Sequence, residues 1–411
     1  MMKLDTIIVF LLLFLTSSAS VTKDFIPSSV TILMWLLTLV LVFSKMHTKS
    51  FSYKGILVFA LISLFMVVSS LVNHSVVLNV IKTIFGIFVV FYYVSLTDFK
   101  IFKAAYSKVL LSLTVISLVF YVLYLTIPSL SSIFVSSSGN YSYSNLILYS
   151  HCLGSTRNGG MFWEPGAFMV FISLAIIFEI SSEKPNLLKI IVFSVAMIST
   201  FSTSGYLTLA LCILVYLFKR GGDKHENKKR GLFIILLAVV FSLVFFFNYD
   251  LVFGKGETST FGKIFKFFAD REYENPTHGT SASIRYFSIV LPFKAFFEQP
   301  LFGIGREQLI AYTAFYTHSA ITSTISNWFA IYGLFFGLIM TYGYYCFVKN
   351  GVLLQKGKIL LAILFVILLI SEDFSNNPLF YLFVFYGYYS TIKQRKLKEQ
   401  NVCRSKFYAQ L

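Results

Sequence analysis

Long apolar runs, separated by short polar stretches that carry lysine or arginine, make up almost the whole chain. A membrane-crossing helix needs about 20 apolar residues, and runs of that kind predict spans near 6–22, 28–44, 55–72, 77–97, 106–127, 161–181, 231–250, 325–348, 357–371 and 376–392. The run Leu187–Phe218 is different. As one helix its 32 residues would extend about 48 Å, beyond a hydrocarbon core of roughly 30 Å. Ser199-Thr-Phe-Ser-Thr-Ser-Gly205 interrupts it, which predicts two short helices meeting at a turn.

The basic residues fix the number of crossings. Lysines at 45, 49 and 54, then 100, 103 and 108, then 184 and 189, then 219–230, 349–358 and the tail all fall on one side if 187–218 crosses twice. Positive residues gather in cytoplasmic loops, so about twelve spans with both termini cytoplasmic are expected, in one polytopic, all-α membrane domain over 1–411. Met1–Ser20 has the charge and length of a signal peptide, but reads as an uncleaved first span. External loops are expected at about 128–160 and 251–324. In the second, seven Lys/Arg nearly balance six acidic residues. Its Ser283–Phe297 segment, apolar with widely spaced charges, is expected along or in the interface.

Composition supports the class. Of 411 residues, 57% are hydrophobic and 13% charged, against roughly 25% charged in soluble domains. The net charge of +16 would suit nucleic acid were it a patch, but its confinement to short loops and the tail makes it a topology signal. No nucleic-acid partner is expected. The four cysteines (152, 212, 346 and 403) form neither a disulfide framework nor a metal spacing.

The polar positions that remain converge on the external side. Foremost is Ser155-Thr-Arg-Asn-Gly-Gly-Met-Phe-Trp-Glu-Pro-Gly-Ala-Phe168, a glycine-bearing loop that feeds an apolar helix. Pro165 fits a first helical turn without losing a hydrogen bond, and Glu164 there suits the positive end of the helix dipole. Arg157, Arg285 and Arg306 are the external arginines of interest, because the guanidinium fork binds phosphate oxygens and keeps its charge. Converging at the membrane surface they would suit a lipid diphosphate; singly, each also fits an interface anchor or a partner for Glu164 or Glu298. Glu164 is either a general base toward a sugar hydroxyl or a support for Arg157. His318 offers the same choice between base and interfacial residue. The turn Pro300-Leu-Phe-Gly-Ile-Gly305 could cradle a phosphate with backbone amides. Asp270–Glu274 with His278 matches no metal spacing, and no metal or other cofactor is expected.

Arg157-Asn-Gly-Gly-Met-Phe-Trp-Glu-Pro-Gly166, the Phe201-Ser-Thr-Ser-Gly-Tyr206 break, Arg285 followed by Pro300–Gly305, and the glycine-rich helix at Asn327–Gly337 together resemble the O-antigen and capsular polysaccharide polymerase (Wzy-like) family, which is related to the O-antigen ligases. The resemblance covers roughly 145–345. It implies a GT-C-like glycosyltransferase of the bacterial cytoplasmic (inner) membrane, acting in lipopolysaccharide, capsule or exopolysaccharide synthesis. The reaction it implies is inverting and metal-independent, joining undecaprenyl-diphosphate-linked repeat units at the outer face. Arg157 and Arg285 match the positions thought to hold the donor diphosphate, and a chain-length regulator and a flippase are the implied membrane partners. The sequence departs from the family in two places. Ser204 is followed by Gly205 where many relatives have arginine, and the His318–Gly333 spacing is longer than in ligases, which favours polymerase over ligase. A glycolipid flippase or exporter would instead place its charges at mid-membrane.

Overall fold

A computed structural model describes residues 2–17, 25–45, 53–138, 141–146, 148–219, 281–316, 321–350, 352–353 and 357–391. The described chain is mostly helical. The helices are α1 (Met2–Thr16), α2 (Ser28–Phe43), α3 (Tyr53–Val72), α4 (Val77–Leu96), α5 (Phe99–Thr126), α6 (Pro165–Ile180), α7 (Leu187–Ser199), α8 (Thr203–Lys219), α9 (Ser281–Glu298), α10 (Arg306–Tyr316), α11 (Thr324–Tyr332), α12 (Leu334–Lys349), α13 (Lys358–Ser371) and α14 (378–391). Three of them, α3, α4 and α5, are long and apolar enough to cross a membrane, and several shorter apolar helices pack around them. The expected span at 231–250 lies outside the described residues.

A helix that is apolar on every side belongs in the middle of a bundle, and α6 is that helix: every residue from Gly166 to Ile180 is buried. It packs against α5, α7, α8 and α13. Peripheral helices instead turn large apolar side chains outward, as Leu33 and Val40 of α2, Leu64 and Leu71 of α3, and Val119 and Val122 of α5 do. Outward apolar stripes on an apolar core are what lipid-facing helices carry.

Polar contacts collect at the two ends of the bundle. At one end Lys45 bonds the buried Asp5 carboxylate and donates to Thr97 Oγ1 at 2.6 Å. Tyr93 donates to Asp5 at 3.1 Å, and Tyr386 to the Thr97 carbonyl at 2.9 Å. This knot ties α1, α2, α4 and α14 together. Glu179, Ser107 and Lys189 join α6, α5 and α7 at the same end. At the other end the helices meet the loops that follow α5, α7, α9 and α13. The break expected at 199–205 is there, with α7 ending at Ser199 and α8 starting at Thr203.

Three features differ from the hydropathy reading. The 128–160 segment holds a 3₁₀ turn (Pro128–Ser132) and a three-stranded antiparallel sheet, β1 (Val135–Ser138), β2 (Tyr141–Leu146) and β3 (Tyr149–Cys152). Its serine and tyrosine alternation gives no hydropathy peak. The single span expected at 325–348 is two helices, broken at Gly333 with φ 85°. A Cβ at that position would lie 2.1 Å from the Leu301 carbonyl, so only glycine admits both the conformation and the approach. Helix α9 does not merely lie at an interface: Leu291 and Ala295 are buried, and Phe293 and Phe296 meet Phe329 of α11.

Removing one partner of a buried ion pair strands the other, which costs about 3–5 kcal/mol, whereas replacing both with apolar groups is often neutral. Asp5→Leu is therefore expected to lower the thermal midpoint of the detergent-purified protein sharply, and Asp5→Leu with Lys45→Met to recover most of it. Additive losses in the double variant would contradict this role.

Candidate functional site

The loop from Leu153 to Glu164 is held from both sides. The sheet anchors it through Leu153 N–H to the Ser142 carbonyl and Ser150 N–H to the Gly160 carbonyl, both at 2.8 Å. Asn158, completely buried, anchors it to the helices: its Oδ1 accepts from Ser117 Oγ at 2.8 Å and Gly160 N–H at 3.0 Å, and its Nδ2 donates to Ser199 Oγ at 3.0 Å. A buried amide that uses both ends leaves the loop little freedom.

Arg157 stands on this fixed base. Its Nε donates to the Thr200 carbonyl at 2.9 Å, at the α7–α8 break, while its terminal nitrogens have no protein partner among the described residues. The side chain is exposed at its tip yet surrounded by protein at longer range, as in an open funnel. Burial pulls its pKa down from the ordinary arginine value, and Glu164, Glu372, Tyr206 and Cys152 pull it back up. Arginine stays charged regardless. The result is a guanidinium oriented by one bond with its fork left open, the form suited to bidentate anion binding.

Glu164 caps α6 in extended conformation ahead of Pro165. Its Oε1 accepts from Trp163 Nε1 at 2.9 Å, and its second carboxylate oxygen has no protein partner among the described residues. No described ion pair joins it to Arg157; the two act on each other at longer range.

The turn after α13 adds two acids. Glu372 is buried, with Oε1 over the first turn of α6, where a Cβ on Gly166 would lie 1.8 Å from it. Its carbonyl accepts from Thr324 Oγ1 at 2.5 Å, fixing the turn to α11. Asp373 Oδ1 accepts from Ser375 N–H at 2.9 Å, and Oδ2 lies 3.7 Å from Arg306 Nη2. Arg306 begins α10, and its Nη1 is buried without a hydrogen-bond partner among the described residues.

Arg157, Glu164 and Arg306 thus share one end of the bundle, joined through the Glu372-Asp373 turn. Arg285 lies on α9, but its side chain is outside the described residues, as are His318 and the Asp270–His278 stretch. The 300–305 turn is no open phosphate cradle. Its amides already bond inside the protein, Gly303 N–H to Gln299 at 2.9 Å, Ile304 N–H to Ala330 at 2.8 Å and Gly305 N–H to Ile331 at 3.3 Å. His151 is buried in the sheet, stacked on Tyr124 with ring centroids 4.8 Å apart, and burial lowers its pKa. Sequence reasoning gave Glu372 and Asp373 no part in the site. Two acids directly after an apolar run were the available signal.

The chain matches no family model and has no significant match among curated proteins.

Overpacking of a tight site costs about 1–3 kcal/mol. Gly166→Ala is expected to destabilise the purified protein by that order, and Glu372→Ala added to it to restore much of the loss by removing the obstructing carboxylate. Thermal unfolding of the single and double variants measures this; a Gly166→Ala protein as stable as the parent would show that the carboxylate moves aside freely.

Proposed function

We propose that this chain is a polysaccharide polymerase of the bacterial cytoplasmic membrane. It joins undecaprenyl-diphosphate-linked repeat units at the outer face, with both termini cytoplasmic. The observation that carries this reading is Arg157, pinned through Nε with its terminal nitrogens unpartnered, at the mouth of the central helix and beside a carboxylate with a free oxygen.

In the reaction a hydroxyl of the incoming lipid-linked unit attacks the anomeric carbon of the growing chain. The bond from that carbon to the diphosphate oxygen breaks as the new glycosidic bond forms on the opposite face, so configuration inverts. Undecaprenyl diphosphate leaves with the electron pair, and Arg157 neutralises the charge that develops on it, a task for which pre-oriented donors suit best. The hydroxyl proton goes to a carboxylate, for which Glu164 is the candidate within the described site; His318 remains the other. Arg285 on α9 is the second candidate for the diphosphate.

The polymerase reading is supported further by the sorting of charge. Lysines and Asp5 hold one end of the bundle, while the arginine–carboxylate group holds the other. Polarity gathered at the ends fits a surface site better than a path through the middle.

The test is the glycan profile of a deletion strain complemented with wild type or with Arg157→Ala. Loss of one electrostatic donor at a developing charge costs about 10²–10³ in rate, so the variant is expected to leave single repeat units in place of long chains at normal protein levels. Long lipid-linked chains that accumulate unattached would make the protein a ligase instead. Units retained inside the cell would make it a transporter.

A further inference from the structure

The two described arginines of the mouth are not equivalent. Arg157 offers open terminal nitrogens, with no described carboxylate at ion-pair distance. Arg306 already faces Asp373 at 3.7 Å and is followed directly by Glu307. A diphosphate arriving at Arg306 would meet the repulsion of Asp373, whereas a neutral polyol would not.

The local geometry suits a hydroxyl. At 3.7 Å the Arg306–Asp373 contact is too long for a hydrogen bond, and Arg306 Nη1 is buried with no hydrogen-bond partner among the described residues. A hydroxyl both accepts and donates, so one placed there accepts a hydrogen bond from the guanidinium and donates one to the Asp373 carboxylate. Asn376 contributes a second donor: its Oδ1 accepts from the Tyr332 phenol, and its Nδ2 has no protein partner among the described residues. The Tyr332 phenol lies within electrostatic reach of both Arg306 and Asp373. Phe374, next to Asp373, is fully buried against Phe171 and Phe380 and anchors the turn that carries the carboxylate.

We infer that Arg306 and Asp373, with Asn376 beside them, form a sugar-hydroxyl subsite and not a second diphosphate clamp. The inference rests on the polymerase reading and divides its site into an anionic-ligand half at Arg157 and a neutral-ligand half at Arg306.

Two variants test it in purified wild type, Arg306→Gln and Asp373→Asn, the second of which keeps an oxygen for the Ser375 N–H. The readouts are binding of undecaprenyl diphosphate without sugar, and polymerisation kinetics with the lipid-linked repeat unit isolated from the deletion strain. Both variants are expected to bind undecaprenyl diphosphate within about twofold of wild type, and to raise KM for the repeat unit about tenfold or more. A rise seen when the repeat unit is varied against saturating extended donor places the ring in the acceptor; a rise seen only when the donor is varied places it in the donor. The inference is overturned if Arg306→Gln weakens undecaprenyl-diphosphate binding about tenfold, or if Asp373→Asn tightens it, since either result makes Arg306 a phosphate ligand. It is equally overturned if KM stays unchanged in both variants. Wild type that neither binds undecaprenyl diphosphate nor polymerises would sink the polymerase reading and the inference together, a result distinct from the others.

Discussion

A polar group left unpaired among apolar side chains costs several kcal/mol, and this cost organises the molecule. Within the apolar middle of the bundle, hydroxyls return to carbonyls of their own helix, as Thr38, Ser95, Ser173 and Ser194 do. Groups that cannot be satisfied that way are moved to an end or paired there. Asp5 meets Lys45 and Tyr93 at one end, and Glu179 meets Ser107 and Lys189. At the other end Asn158 joins three elements through a single amide. Helix α6 can be apolar through its middle because its acids, Glu164 before it and Glu179 in its last turn, sit at those ends.

The same rule explains the exceptions at the mouth. Arg157 and Arg306 keep donors, and Glu164 keeps an oxygen, that no described residue meets. Hydrogen-bonding capacity that the protein does not fill is available to a ligand there. The carboxylate of Glu372 over α6 adds a constraint of shape, since it occupies the space that a side chain on residue 166 would take. A bound diphosphate and a sugar would divide that remaining capacity between them, with Arg157 left to the charge and the Arg306–Asp373 pair to the hydroxyls.

Much of this was legible in the sequence because its physics is local. Hydropathy located the long helices, the length of Leu187–Phe218 required its break, and Pro165 after Glu164 marked the start of α6. What was not legible depends on distant contacts. The sheet at 135–152 hides in a serine- and tyrosine-rich stretch with no apolar alternation. The break at Gly333 depends on the approach of Leu301, and the 303–305 amides, which looked free to hold phosphate, are spent on Gln299, Ala330 and Ile331. Glu372 reaches α6 across more than two hundred residues of chain, so spacing could not reveal the pairing.

The central claim is that the Arg157 mouth opens to the outside and holds a lipid diphosphate. The most direct measurement is labelling of Arg157→Cys in intact cells with a membrane-impermeant maleimide, in a chain whose four native cysteines are replaced by serine, with Lys349→Cys at the opposite end as the control. An outward-facing mouth predicts labelling of position 157 and not of position 349, and predicts that undecaprenyl diphosphate slows labelling of Thr156→Cys, which keeps Arg157, in isolated membranes. Labelling of position 157 only after the membrane is permeabilised, at the rate seen for position 349, would contradict it.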